Sequence, residues 1–282
     1  MKWLFKKSKA LFYVLLIVAA VILILFAADI KSGEKVILPI LGLKQLNLAW
    51  ALVIFSAWYF VASIITVRYE RVLLRKIDDL LVSECDPYSC IEEHKKILPK
   101  STRDMKIYVL VELCGAYLAA GDTDSAWEYL DEVTSFPQQK SRGASYKFVH
   151  YSHMVNYSIL TENQEAAEYW LKKMREILDD DNNGMGAETK GIWEKHYTSQ
   201  MYTLNVANGE FEGAEEVFLA DFNTAYTQLS KVAAKCKLGK VYLHFNRPDE
   251  AKAALEYVIA NGNKTRHVDD AQEMLEQIGQ TQ

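Results

Sequence analysis

The chain has 282 residues, of which 50% are hydrophobic and 24% are charged, and it contains only five prolines. This composition is typical of a folded protein and excludes disorder over most of the length. The formal net charge is −5, but residues 1–76 carry eleven Lys and Arg against three Asp and Glu, so the remaining residues carry −13. Because an acidic domain repels phosphate groups, we expect no nucleic-acid partner and favour basic peptides or basic protein surfaces.

Two uncharged, apolar segments lie in the first quarter of the sequence. The first, residues 10–28, follows a basic N-terminal segment at residues 1–9, and the second, residues 46–67, ends at Arg68. Each has about the length that crosses a bilayer core as a helix, so the sequence predicts two transmembrane helices joined by an extracytoplasmic loop at residues 29–45. Neither segment contains Asp, Glu, Lys, Arg or His, which favours an anchor over a transport pathway.

The distribution of basic residues predicts the orientation of these segments. Four lysines precede the first segment and four basic residues follow the second, whereas the loop between them has three lysines. By the positive-inside rule, both termini are expected in the cytoplasm, as in an integral protein of a bacterial plasma membrane. The alternative is a cleaved signal peptide at the first segment, after which the second would still leave the C-terminal domain in the cytoplasm.

After Arg68 the sequence predicts one helix after another. Long stretches mix Ala, Leu, Glu, Lys and Gln, which lose little side-chain freedom in a helix, and the short connections contain Gly, Asn or Asp. Residues 68–102 are expected to form connecting helices, at 69–83 and 87–98, and residues 103–282 a domain of helical hairpins. The predicted fold class is therefore all-α.

The clearest hairpin covers residues 231–261, with a turn at residues 246–249. Apolar and small residues recur in it at helical spacings, namely Leu238, Gly239 and Tyr242 before the turn and Ala251, Leu255 and Val258 after it. This pattern resembles the tetratricopeptide repeat (TPR), although Lys235 stands where that family favours Trp and Asn263 where it favours Pro. The resemblance implies an α-solenoid, a curved stack of TPR-like hairpins.

The same pattern recurs three more times in a weaker form. Cys114 replaces the usual Gly in the copy that turns at residues 120–122, and further copies turn at residues 161–163 and 208–210. The equivalent alanines are Ala126, Ala167, Ala214 and Ala251, which are 41, 47 and 37 residues apart. These spacings exceed the family period of about 34 residues, so we expect irregular repeats, closed by a last helix near residues 267–278.

An acidic segment between two hairpins is similar to the start of a calcium-binding loop. Asp179, Asp181, Asn183 and Gly184 occupy the first positions of an EF-hand loop, but Lys190 stands at the twelfth position, where a bidentate Glu must complete the coordination. A polar connection between hairpins is therefore the favoured interpretation, and no metal or cofactor is predicted.

Cysteines and histidines give no strong sign of chemistry. The four cysteines, Cys85, Cys90, Cys114 and Cys236, form no CxxC pair and have no His at zinc-ligand spacing, so a core role is expected for Cys114 and Cys236. His150 and His153 lie one helical turn apart, and a metal or acid–base role together with His196 is the less favoured alternative. Because no phosphate loop or nucleophile motif occurs, no catalysis is predicted.

The TPR resemblance also implies which residues face the inner surface of the stack. They lie on the first helix of each hairpin, one turn from the core positions: Tyr108, Ser152, Asn156, His196, Ser199, Thr203, Lys240 and His244. A clamp for a C-terminal carboxylate, known in the family, would need several Lys, Arg and Asn, and only Asn156 and Lys240 qualify. For each of these residues an ordinary surface or packing role is the alternative.

These observations predict a membrane-anchored adaptor or scaffold that faces the cytoplasm. Its TPR-like superhelix would bind a partner protein or peptide. The acidic charge of this domain favours a basic partner. Two alternatives remain: a structural component that associates with copies of itself in a membrane assembly, and a membrane-bound enzyme with an unrecognised site.

Overall fold

A computed structural model describes residues 13–14, 17, 48–101, 103–134, 143–181 and 186–281. The chain divides into two compact units, residues 1–76 and residues 77–282. From residue 48 on, the described residues contain eleven α-helices and one 3₁₀-helix and no β-strand, so the prediction of an all-helical chain is confirmed for them.

The α-helices, numbered in chain order, are α1 (Leu48–Val82), α2 (Pro87–Ile97), α3 (Arg103–Ala120), α4 (Thr123–Thr134), α5 (Gly143–Leu160), α6 (Gln164–Asp179), α7 (Ala187–Ala207), α8 (Ala214–Thr224), α9 (Gln228–His244), α10 (Pro248–Asn261) and α11 (Arg266–Thr281). The 3₁₀-helix, Leu98–Lys100, follows α2.

Among the described residues, no helix is sufficiently long and apolar to span a membrane. The prediction of two transmembrane helices, and with it the prediction of an integral membrane protein, is therefore wrong for the part of the chain that the structure describes. Most of the first predicted span lies outside the described residues, as do the predicted N-terminal segment at residues 1–9 and the loop at residues 29–45.

The second predicted span differs from expectation in where its helix ends. The sequence predicted an end at residue 67, but α1 continues without a break through Arg68, Arg71 and Arg75 to Val82. The apolar segment is thus one end of a 35-residue helix whose other end is charged. The predicted connecting helix at residues 69–83 is the second half of α1, and the one at residues 87–98 corresponds to α2.

Unit 77–282 contains four consecutive hairpins, α3–α4, α5–α6, α7–α8 and α9–α10, which turn where the sequence predicted. Each turn holds a residue whose φ is positive, between 53° and 85°: Gly121, Glu162, Gly209 and Asn246; the third turn also contains Gly213, with a φ of 74°. The backbone N–H of the residue that follows each of the first four donates to the carbonyl five residues earlier, at 2.8–3.0 Å. The pairs are Asp122 to Tyr117, Asn163 to Ser158, Glu210 to Asn205 and Arg247 to Tyr242. This Schellman arrangement ends a helix sharply, and its recurrence makes the four hairpins structurally equivalent.

Small residues allow the two helices of a hairpin to approach closely. The four equivalent alanines identified in the sequence are all fully buried. At Gly239 on α9, a Cβ atom would lie only 2.5 Å from Cδ2 of Leu255 on α10. Glycine is therefore required at this position for the observed packing.

The last helices of unit 77–282 return to the first ones. In the turn before α11, the backbone N–H of Lys264 donates to the carbonyl of Cys85 at 3.2 Å, and the side-chain amide of Asn263 donates to the carbonyl of Glu84 at 2.8 Å. Helix α11 also packs against the start of the hairpin stack, since a Cβ on Gly121 would meet Cβ of Arg266 at 3.3 Å. The stack of hairpins in this unit therefore closes on itself.

Candidate functional site

Three polar side chains meet between the first helices of the second and third hairpins. The Oγ of Ser152 on α5 lies 2.8 Å from Nε2 of His196 on α7, and Nε2 of Gln200 donates to the same Oγ at 2.9 Å. His196 and Gln200 share a face of α7 because they are four residues apart. The Ser152 oxygen accepts from Gln200, and the tautomer of the His196 ring decides whether Nε2 donates to or accepts from the Ser152 hydroxyl.

This group of three side chains combines solvent access with buried partners. Ser152 and Gln200 are buried. Part of the His196 side chain is exposed to solvent, and the rest is surrounded by protein. The surrounding protein, with a smaller effect from Lys237, lowers the pKa of His196 to about 4. His196 is therefore neutral near pH 7 and offers hydrogen bonds rather than a charge. The Oε1 atom of Gln200 is buried without a hydrogen-bond partner among the described residues.

Lys237 on α9 extends the polar surface to the fourth hairpin. Burial lowers the pKa of this half-buried lysine to about 8, opposed by Asp221 and assisted by Arg266 and Lys240. Its Nζ lies 5.2 Å from the centre of the Phe218 ring. Within the described residues no carboxylate lies within 4.0 Å of the Lys237 ammonium group, so this charge has no ion-pair partner there.

Ser199 and Thr203, two of the predicted binding residues, make contacts within their own hairpin. The Ser199 hydroxyl donates to Oδ2 of Asp221 on α8 at 2.6 Å, and the Thr203 hydroxyl donates to the backbone carbonyl of Ser199 at 2.7 Å. Ser199 is buried and Thr203 half-buried. The Ser199 contact holds α7 against α8, whereas the Thr203 contact lies within α7, and neither hydroxyl proton is available to a ligand.

The remaining predicted residues do not join one site. Asn156 is half-buried and lies one helical turn after Ser152. Lys240 is exposed and lies one helical turn after Cys236. His244 is exposed and stacks on the ring of Phe211, with ring centroids 3.8 Å apart. The structure thus brings Ser152 and His196 together and places His244 against an aromatic side chain.

His150 and His153 on α5 are neutral side chains packed against neighbours. Nε2 of His150 lies 3.2 Å from Oγ1 of Thr134, and His153 packs over Gly115, where a Cβ would lie 3.0 Å from Cε1 of the ring. Burial lowers the pKa of His150 to about 4 and that of His153 to about 3. In the described part of the chain these histidines do not converge with His196 on a common metal position.

Tyr108, the last predicted residue, belongs to a separate cluster between α1, α2 and α3. Its hydroxyl donates to Oδ2 of Asp78, while Oδ1 of Asp78 lies 3.4 Å from Nε2 of His94. Nδ1 of His94 lies 3.1 Å from the carbonyl of Cys90 and 3.3 Å from its Sγ. Burial, with help from Asp78, also raises the pKa of nearby Glu112 to about 8.

The order of cysteine, histidine and aspartate in this cluster is that of an activated thiol, but the thiol is not accessible. Cys90 and His94 are both completely buried. Burial, assisted by Asp78, Glu112 and Asp86, raises the pKa of Cys90 to about 12, so the sulfur is protonated at neutral pH. The cluster therefore joins three helices and offers no accessible nucleophile.

Sequence analysis missed Gln200 and Lys237, which complete the polar surface. Gln200 could have been found from its four-residue spacing to His196, since both then share one face of α7. Lys237 gave no comparable signal, because lysines are common on exposed helix faces.

The chain matches no protein-family model, no curated protein and no solved structure. The fold and site define it as an all-helical protein of stacked hairpins, consistent with α-solenoid-like repeats. Since no repeat family is identified, the resemblance to the tetratricopeptide repeat stays a prediction.

Proposed function

We propose that unit 77–282 is a protein-interaction module that binds an acidic segment of a partner protein across α5, α7 and α9. The observation that carries this proposal is the ammonium group of Lys237, a half-buried charge without an ion-pair partner among the described residues. Buried charges in proteins are normally paired. A carboxylate supplied by a partner would give Lys237 that pair.

The surroundings of Lys237 support an extended ligand with hydrogen-bonding groups. Ser152, His196 and Lys237 lie on the first helices of three successive hairpins, and the charge of Lys237 reaches His196. Neutral His196 is exposed and can bond to a backbone group of a bound peptide. Such a surface fits a TPR-like adaptor.

The local charge favours an acidic partner, although the charge of −13 on residues 77–282 led us to expect a basic one. Lys237 and Lys240 lie on one helix, and Arg266 is near enough to lower the pKa of Lys237. Charges at the contact surface decide specificity more than the net charge of the whole molecule. The local charge predicts binding of acidic peptides and the charge of the whole unit predicts binding of basic peptides, and a binding measurement distinguishes the two.

The test uses two fluorescein-labelled peptide pools, one rich in Asp and Glu and one rich in Lys and Arg, titrated with the full chain in anisotropy measurements. We expect the acidic pool to bind and its affinity to fall with added salt. Lys237→Met should weaken binding about tenfold or more, because the carboxylate would lose its partner.

Lys235→Met is the matched control, because Lys235 lies on the same helix but over the ring of Phe222, with Nζ 4.4 Å from the ring centre. This variant should bind as the unmodified chain does. Preferential binding of the basic pool, or equal losses in the Lys237 and Lys235 variants, would contradict the proposal.

A further inference from the structure

Three metal-ligating side chains meet where α9 contacts the first turn of α11. Cys236 comes from α9, and His267 and Asp270 lie one helical turn apart on α11. One ligand atom from each residue lies within 4.8 Å of the other two, and Nδ1 of His267 is 3.9 Å from Oδ2 of Asp270. Ser152, His196 and Gln200 supply no ligand atom to this cluster.

The histidine of this cluster has an unexplained nitrogen. Nδ1 of His267 is buried and has no hydrogen-bond partner among the described residues, and 3.9 Å to Asp270 is too long for a hydrogen bond. A buried polar atom without a partner is destabilising. The simple interpretation of Cys236 as a small core residue leaves this nitrogen without an explanation.

We propose that Cys236, His267 and Asp270 bind a zinc ion through Sγ, Nδ1 and a carboxylate oxygen. Thiolate, imidazole and carboxylate are the ligands that zinc takes in proteins. With zinc–nitrogen and zinc–oxygen bonds of about 2.0–2.1 Å, tetrahedral geometry sets the two ligand atoms about 3.4 Å apart. These two atoms are 3.9 Å apart, so side-chain rotations that move them about half an ångström closer would give the tetrahedral spacing.

Three protein ligands leave the fourth tetrahedral position open. The thiolate and the carboxylate neutralise the two charges of the ion, and the thiol proton of Cys236 passes to solvent as the sulfur–zinc bond forms. Arg266, which lies 3.0 Å from Oδ2 of Asp270, orients the carboxylate from outside the cluster. Arg266, Lys237 and Lys240 oppose a bare cation but stabilise the thiolate and favour an anion at the open position.

A zinc ion at this place would strengthen the closure of the hairpin stack. It would link α9 directly to α11, and the turn just before α11 bonds to the turn between α1 and α2 through Lys264. Because the three ligands come together only in the folded chain, zinc binding would add to the free energy of unfolding.

The experiment is a titration of the full chain, prepared without a polyhistidine tag, with Co²⁺ as a spectroscopic substitute for zinc. We expect one equivalent of Co²⁺ to produce a sulfur-to-cobalt charge-transfer band and the intense visible bands of tetrahedral cobalt, and Zn²⁺ to abolish both. His267→Gln should keep the thiol but weaken Co²⁺ binding by more than about tenfold.

Cys236→Ser should remove the charge-transfer band, and Cys114→Ser is its matched control, since Cys114 is equally buried but lies on α3 away from the cluster. Circular dichroism tests whether each variant is folded. If Cys236→Ser does not fold, the affinity of His267→Gln for Co²⁺ tests the metal site. The proposal is overturned if the unmodified chain gives no charge-transfer band, or if the band persists in Cys236→Ser or at unchanged affinity in His267→Gln.

Discussion

The ammonium group of Lys264 lies 2.5 Å from Oδ2 of Asp86, which joins two turns whose residues are 178 positions apart in the sequence. The same Asp86 begins α2, because its Oδ1 accepts from the backbone N–H of Ser89 at 3.1 Å and its Oδ2 from the Ser89 hydroxyl at 2.9 Å. The Asp86 carboxylate therefore caps a helix at the start of unit 77–282 and forms an ion pair with Lys264, in the turn near the end of the same unit.

Asp86→Ala should destabilise the chain more than Lys264→Ala does. Loss of a helix cap costs about 0.5–2 kcal/mol. The ion pair adds less than about 1 kcal/mol, because the Lys264 side chain is 52% exposed. Urea unfolding followed by circular dichroism measures both variants, with Lys264→Ala as the control that keeps the cap. Equal losses of unfolding free energy in the two variants would contradict a capping role for Asp86.

The contribution of Asp86 should depend on pH in a defined direction. Burial raises its pKa, but the hydrogen bonds from Lys264 and Ser89 outweigh burial and hold the pKa below the ordinary value of 3.8. A lowered carboxyl pKa stabilises the fold above the unfolded pKa, and this stabilisation is lost as pH falls through the folded pKa. The difference in unfolding free energy between the unmodified chain and Asp86→Ala should therefore be constant above about pH 5 and shrink below about pH 4.

The hairpins could be predicted from the sequence because their signals are local. Gly121 and Gly209 mark left-handed helix ends, Pro248 begins a helix, and the buried alanines recur at one position of each hairpin. Each of these signals acts over a few residues. The contact between Ser152 and His196 was anticipated only as a shared surface, because the irregular spacing of the repeats leaves the exact neighbours open.

The closure of the stack and the Cys236 cluster could not be predicted in this way. Both depend on how small rotations between successive hairpins add up, which no local pattern specifies. Lys264 and Asp86 meet only after four hairpins, and Cys236 meets His267 only after the whole of α10. The predicted span at residues 46–67 relied on apolar length alone, which does not show where a helix ends, and α1 continues to Val82.

Gly239→Ala should destabilise the chain, because the new Cβ would lie 2.5 Å from Cδ2 and 2.9 Å from Cγ of Leu255, which is fully buried. Overpacking typically costs about 1–3 kcal/mol. The higher helix propensity of alanine, worth up to about 1 kcal/mol, offsets only part of this cost. We therefore expect a lower urea midpoint with an unchanged dependence on denaturant.

Gly191→Ala is the matched control for that substitution. Gly191 also lies inside a helix, α7, but a Cβ there would meet nothing within 4 Å. Without a clash only the propensity gain remains, so this variant should be more stable by about 0.5–1 kcal/mol. If both alanines change stability in the same direction, the close contact between Gly239 and Leu255 does not constrain the hairpin.

Glu112→Gln should stabilise the chain at alkaline pH and have little effect near pH 5. Burial and Asp78 raise the pKa of Glu112 to about 8, so between its ordinary value of 4.5 and pH 8 the unfolded chain has released the proton that the folded chain still holds. The free energy of unfolding of the unmodified chain must then fall as pH rises through this window. Glutamine has the shape of the protonated acid and removes the penalty.

Denaturant unfolding at pH 5 and pH 8.5 tests this expectation, with Glu128→Gln on the exposed side of α4 as the control. An exposed substitution of this kind should change stability by less than about 0.5 kcal/mol at either pH. Equal pH dependence of the unmodified chain and Glu112→Gln would show that Glu112 is not held protonated by its surroundings.

His150 should make the folded chain sensitive to acid in the range from about pH 6.5 to pH 4. The Thr134 hydroxyl donates to the carbonyl of Leu130 at 3.0 Å, so Nε2 of His150 must carry the proton that it shares with Oγ1 of Thr134. Nδ1 is then unprotonated, and it is buried without a partner among the described residues, so a second proton there has no acceptor. Burial accordingly lowers the pKa of His150 to about 4.

The unfolded chain therefore takes up a proton at His150 from about pH 6.5 downward, while the folded chain does so only near pH 4, and the free energy of unfolding falls in between. His150→Gln keeps an N–H for Thr134 and cannot titrate. Relative to the unmodified chain it should gain roughly 2–3 kcal/mol between pH 7 and pH 4, at about 1.4 kcal/mol for each pKa unit. Ser145→Ala, exposed on the same helix, should follow the unmodified chain throughout, and parallel curves for His150→Gln would mean that His150 does not cause the acid sensitivity.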